Sequence, residues 1–206
     1  MARRNIIQSA AHRLLATLIA GFVALLSVGV PAAVAHSFTT LLVLPESAMQ
    51  SEARQDAERA FLLASEERDG HAQQESDGHL GGLDVYLKFA TPDAADIIAA
   101  AAPDIVAAPF ADPDANAENI LTRIALPTGA VPLTGPDIDS SQSQTFLARA
   151  AGLSRDRFAE RFEAATGRAP GPGATAVYVT ARQIDLAVRA NGGVADRAGL
   201  RRLLAQ

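Results

Sequence analysis

Two Asp-Gly-His triplets, Asp69-Gly-His71 and Asp77-Gly-His79, stand eight residues apart in one polar stretch. Imidazoles and carboxylates at that density can ligate zinc or copper, because a flexible loop can fold several donors around one ion. His71, Asp77 and His79 are the candidate metal ligands. Their spacing fits no established ligand pattern, and polar Gly-rich stretches ordinarily serve as solvated turns, so a bound metal and a plain turn both stay open. A second set of polar residues follows short apolar runs: Glu46-Ser47, Phe110-Ala-Asp112, and Asp137 with Ser140-Ser141. In an open parallel sheet such positions meet a ligand at the carboxyl ends of the strands. Ser47, Ser140 and Ser141 can donate hydrogen bonds, while Glu46, Asp112 and Asp137 repel an anion and favour a cationic or neutral solute. The same residue types are also the usual helix caps. No catalytic residue is assigned. The chain has no cysteine nucleophile, no Gly-x-Ser-x-Gly elbow and no Walker-type Gly-Lys-Ser/Thr, and Gly78 to Gly82 precedes a strand where a dinucleotide fingerprint would follow one. The expectation is a binding protein and not an enzyme, with no cofactor other than a metal ion on the histidine loop.

The elements that must position these residues alternate. Phe38 to Leu44 is a β-branched and apolar run ended by Pro45, which predicts a buried parallel strand. Ser51 caps a predicted helix in which Ala53, Ala57, Ala60, Phe61 and Ala64 recur at helical spacing. The polar loop from Asp69 to Gly82 offers little apolar surface and is expected to be exposed and mobile. Strand character returns over Leu83 to Phe89, a helix is predicted over Asp93 to Ala102 behind Pro92, and Asp104 to Ala108 is a third strand. A helix is expected over Pro113 to Ala125. Val131 to Thr134 is the fourth strand, placed at a sheet edge by Pro132. From Ser143 onward only helices are predicted. Leu153 and Phe158 staple an N-cap at Ser154, a long apolar face runs from Ala174 to Val188 and ends at Gly192-Gly193, and Ala195 to Leu204 closes the chain. The expected fold is α/β: a doubly wound parallel sheet of about four strands with additional C-terminal helices.

Residues 1 to 35 read as a cleavable signal peptide. A basic start, Met1-Ala-Arg-Arg, precedes the uncharged apolar run Leu14 to Val30, and Ala33 and Ala35 hold the two small positions of a cleavage site. Cleavage would leave residues 36 to 206, 171 in all, as a single periplasmic domain large enough for a core. It would also put His36 at the new N-terminus, where amine and imidazole together can chelate copper. Without cysteine there is neither a disulfide nor a lipid-anchoring Cys, so no stable membrane anchor is expected after cleavage. Export through Sec is expected, with Tat as the alternative because Arg3-Arg4-Asn5-Ile6-Ile7 resembles a twin-arginine motif. Charge is uneven: Glu46 to Asp139 holds 18 acidic and 5 basic residues, and Arg149 to Arg202 holds 10 basic and 5 acidic. The plain account is that basic C-terminal helices pack beside the acidic first half. A net charge of −5 argues against a nucleic-acid partner.

Taken together, the strand Leu41 to Pro45, the helix Ala53 to Asp69, Gly81-Gly82 before a strand, Asp104 to Phe110 and Val131-Pro-Leu-Thr-Gly-Pro136 resemble the first lobe of type I periplasmic substrate-binding proteins. These are the branched-chain amino-acid binding kind that serve ABC transporters. Phe158-Ala-Glu-Arg-Phe162, Ala165-Thr-Gly-Arg-Ala-Pro170, Tyr178 to Arg189, Ala190-Asn-Gly-Gly193 and Leu200 to Leu204 are similar to that family's closing helices. The resemblance implies a ligand carboxylate held by hydroxyl and backbone donors between two lobes. This chain departs from it, passing from its fourth strand to the terminal helices with most of a second lobe missing. The resemblance therefore implies a truncated binding protein that takes a small solute on an open half-cleft or docks on a periplasmic protein partner, with an ABC permease or a second copy of the chain as candidates. A periplasmic accessory or metal-binding protein using His71 and His79 is the alternative.

Overall fold

The computed structural model describes residues 36–67, 76–109, 120–122, 124–135 and 155–205. In chain order the elements are β1 (Ser37–Val43), α1 (Glu46–Met49), α2 (Glu52–Glu66), β2 (His79–Leu80), β3 (Leu83–Ala90), α3 (Ala95–Ala101), β4 (Ile105–Ala108), β5 (Val131–Thr134), α4 (Arg155–Thr166), α5 (Pro172–Asn191) and α6 (Arg197–Leu204). The fold is α/β, as the alternation of strand and helix patterns requires.

The strands form one mixed sheet in the order β2-β3-β1-β4-β5. β1 runs parallel to β3 and to β4, β4 runs parallel to β5, and β2 is antiparallel to β3. The expected wholly parallel sheet of about four strands is corrected by β2. Gly81 and Gly82 adopt positive φ of 66° and 85°, which lets the chain reverse in two residues and pair His79-Leu80 with Leu83-Asp84. The expected exposure of the Asp69 to Gly82 loop fails over its described end for the same reason: Leu80 is fully buried, because the hairpin carries it into the core. β5 with its Pro132 lies at the sheet edge, where the missing N–H costs no ladder bond.

Alternation along the strands divides the interior. Phe38, Leu42, Val85, Ile105, Ala107, Val131 and Leu133 join one buried cluster with α2, α4, α5 and α6, while Leu41, Val43, Ala90, Val106 and Ala108 join a second with Ile98 of α3 and with Ile120, Leu121 and Ile124. β1 and β4 are therefore apolar on both sides, as strands covered on two faces must be.

Local chemistry fixes the helix ends. Ser51 Oγ accepts from Ala53 N at 3.3 Å at the start of α2, and Asp196 Oδ1 accepts from Gly199 N at 2.9 Å in α6. Gly192, at φ 70°, ends α5. α3 begins at Ala95 and not at Asp93, because Thr91 to Ala94 first closes a turn in which Ala94 N–H donates to Thr91 O at 3.1 Å. Residues 120–122 are helical, Ile124 and Ala125 are not, and the rest of that expected helix, like Leu153 and Ser154, lies outside the described residues. Among the described residues no helix is long and apolar enough to cross a membrane.

Charge asymmetry between the halves becomes contact. Arg168 reaches Glu52 at 2.8 Å and Asp56 at 2.6 Å, Arg161 pairs with Glu67, and Arg197 pairs with Asp104. Asp104 also accepts from Thr39 N through Oδ2 at 2.7 Å, so one carboxylate joins β1 to α6. In each pair a basic residue of the C-terminal segment meets an acid of the first half.

Candidate functional site

β1, β3, β4 and β5 point the same way, so the segments that follow them gather at one end of the sheet. After β1, Leu44 is buried and Pro45 leads into α1, whose first turn exposes Glu46 and Ser47. Gln50 Nε2 donates to Glu46 Oε1 at 2.5 Å, which holds that carboxylate beside α1. The side chain that precedes α1, Pro45, makes no capping hydrogen bond. Ser47 is exposed on this short helix and does not cap it, so the capping reading is not what the structure gives for Ser47.

After β4 and β5 the two backbones abut. Gly135 N–H donates to Ala108 O at 2.9 Å, and a Cβ on Gly135 would lie 2.5 Å from Pro109 Cα. Only glycine allows that approach, and it sets the two exits side by side. Phe110, Asp112, Asp137, Ser140 and Ser141 lie outside the described residues, as does His71. Of the sequence-derived ligand set, Glu46 and Ser47 are therefore the two whose positions are known.

Of the other metal candidates, Asp77 is engaged by the sheet. Its Oδ2 accepts from Leu87 N at 2.7 Å and its carbonyl accepts from Ser65 Oγ at 2.9 Å. His79 is half-buried on β2 with Nε2 2.9 Å from Asp84 Oδ1, an oxygen shared with Ser76 Oγ at 3.1 Å. Among the described residues no three His, Cys, Asp or Glu side chains converge on a point that could hold a metal ion.

A third group of polar residues escaped the sequence reading. Arg182 and Asp185 of α5 are both fully buried, with Arg182 Nη1 3.3 Å from Asp185 Oδ2 and Arg182 Nε 4.0 Å from Glu67 Oε2. Tyr178 donates its hydroxyl to Glu67 at 3.0 Å, and Arg161 closes the other side of the same carboxylate. Asp185 Oδ1 accepts from Gly81 N at 2.7 Å and lies 3.3 Å from Arg189 Nη2. Burial pushes the Glu67 carboxyl above its usual range, against the Tyr178 hydroxyl, Arg161 and Arg182, which pull it down. Burial, then the Glu67 charge and hydrogen bond, push Tyr178 upward as well. The Phe158 ring stacks on Tyr178 at 4.2 Å and completes the apolar wall of this cluster. The available signal was spacing: 178, 181, 182, 185 and 188 share one face of α5, and two of those five positions are charged.

This cluster links α2, α4, α5 and the β2-β3 turn to one another, with Arg182 and Asp185 buried at its centre. That is a structural arrangement. The end of the sheet bearing Glu46 and Ser47 is the place where polar side chains remain exposed beside abutting strand exits. No family model, curated protein or solved structure matches the chain.

Proposed function

We propose that the chain is a small exported solute-binding protein, a single lobe of the type I periplasmic substrate-binding kind. In this reading it takes a cationic or neutral amino-acid-like solute at the carboxyl ends of β1 and β4. The observation that carries the reading is the strand order. From β1 the chain moves outward to β3 on one side and then, across β1, to β4 and β5 on the other. Helices against both buried clusters support reading that order as a doubly wound arrangement, whose switch point would fall between β1 and β4, where open α/β sheets bind their ligands. Glu46 and Ser47 stand at that point. The abutment of Gly135 on Pro109 brings the last described residues after β4 and β5 together at that same end.

One lobe covers a solute on one side. If about 100 Å² of apolar ligand surface stays wet, the loss is roughly 2.5 kcal/mol, near a hundredfold in affinity. Binding by the isolated chain is accordingly weak, and a second wall comes from a periplasmic protein partner. Calorimetric titration with arginine, lysine, leucine and glutamate, alongside light scattering for the oligomeric state, tests this. The expected result is a monomer that binds the cationic or neutral solutes more weakly than about micromolar. A monomer with sub-micromolar affinity would overturn the need for a second wall, and no heat with any of the four would overturn solute binding. The export part has its own check: N-terminal sequencing of the periplasmic fraction should begin at His36, and a start at Met1 would reject it.

A further inference from the structure

We propose that the open edge of β3 is a docking site for an extended segment of another protein, one carrying acidic side chains among apolar ones. Asp84 N–H donates to His36 O at 3.0 Å and Ala90 O accepts from Leu44 N–H at 2.9 Å, so the even-numbered residues of β3 turn their main-chain groups toward β1. The odd-numbered residues turn outward. Val85 exchanges 2.9 Å bonds with Gly78 O and Asp77 N–H, and Leu87 N–H ends on Asp77 Oδ2 at 2.7 Å. Beyond that carboxylate no strand among the described residues pairs with β3 on this side. Among the described residues nothing on this side pairs with the Leu87 carbonyl or with the main-chain groups of Phe89, a short ladder that an added strand can use.

The edge lies in a groove of about 510 Å³. On one face Met49, Arg54, Leu87 and Phe89 line it, with the Arg54 guanidinium 4.7 Å from the Phe89 ring centre. On the other face stand Lys88 and Ile97, the latter 56% exposed. Alternate side chains of an added strand would fall on these two faces, so each face offers an apolar contact and a cation. Lys88 Nζ bonds the Ala101 carbonyl at 3.2 Å and meets no carboxylate among the described residues. Among the described residues the acid that Arg54 meets is the exposed Glu58, at 3.3 Å, in a pair that water already weakens.

Charge selects the occupant. A second copy joined edge to edge would bring Lys88 and Arg54 against their own counterparts, and a lysine on an exposed edge is a recognised obstacle to self-pairing. An acidic strand meets both cations favourably. A free small carboxylate would satisfy one cation and leave the main-chain ladder and the apolar floor unused.

The test uses short acetylated peptides titrated into the purified protein while backbone amides are followed by NMR. One peptide alternates Glu with Val, one alternates Lys with Val, and a third is the Glu-Val peptide with its central residue replaced by Pro. The expected result is saturable shifts at Leu87, Lys88 and Phe89 with the Glu-Val peptide alone, weakened about tenfold or more in Lys88→Glu combined with Arg54→Glu. In that double variant the Lys-Val peptide should now bind. Circular dichroism of the variant checks that its fold is intact. The proposal is overturned if free glutamate shifts the same amides equally, if the Pro-containing peptide binds as well as its parent, if light scattering shows a dimer that Lys88→Glu disperses, or if none of the peptides binds.

Discussion

Arg182 and Lys88 each carry a positive charge into apolar surroundings, and they end in opposite states. Arg182 is wholly buried and lies between Glu67 and Asp185. Lys88 stays at the rim of a groove with a main-chain carbonyl as its partner. A buried charge is tolerated only with opposite charge close to it. Here Asp185, one turn along α5, and Glu67, at the end of α2, supply that charge, and Asp185 in turn accepts from Gly81 N–H in the β2-β3 turn. A cation at a wet edge needs no such arrangement and remains free to meet something else. The cluster therefore spends its charges on the fold, while the edge keeps them for a ligand.

The largest effect should come from breaking the buried cluster. Arg182→Ala takes a cationic partner from two buried carboxylates, Glu67 and Asp185, and should cost about 3–5 kcal/mol, read as a lowered urea midpoint with unchanged slope. A loss below about 1 kcal/mol would mean that the cluster is not a stability element. Next is Gly81→Ala. A Cβ there would lie 2.6 Å from Val188 Cβ, at a φ of 66° that side chains disfavour, so a loss of roughly 2–4 kcal/mol is expected.

Smaller, and dependent on pH, is the contribution of Glu67. Its carboxyl is raised by burial, so the folded chain holds that proton more tightly than the unfolded chain, whose value is near 4.5. The stability it contributes is complete below that value and declines as pH rises through the folded one. Wild type minus Glu67→Gln, measured by urea unfolding at successive pH, should fall over that window; a flat or rising difference would contradict the shift. Smallest is Lys88→Glu, which should change stability by no more than about 0.5 kcal/mol while altering peptide binding at the groove.

The elements themselves were legible where a single period governed the residues. Val131 to Thr134 forms a strand with the expected bounds, Ser51 caps α2, and Gly192 ends α5. β2 was not legible, because two residues cannot show a period and the polar neighbours of His79 mask a hairpin held from the far side by Asp185. Arg182 and Asp185 were hidden for a related reason: charged residues on a helix read as its solvated face unless the fold brings them acids and donors. Of the site, Glu46 and Ser47 could be placed from sequence because Pro45 ends an apolar strand, and the residues next in the chain must emerge at that strand's carboxyl end. The edge groove was invisible, since it depends on how β2 and the Asp77 carboxylate meet β3.

Backbone amide shifts during a titration with arginine test the central reading most directly, because they show where on the sheet a solute sits. The account predicts weak, saturable shifts confined to residues 44–48 and to Ala108 and Gly135, with Leu87 to Phe89 unmoved. Shifts centred on β3, or none at solute concentrations of about 10 mM, far above those at which a half-cleft still binds, would contradict it.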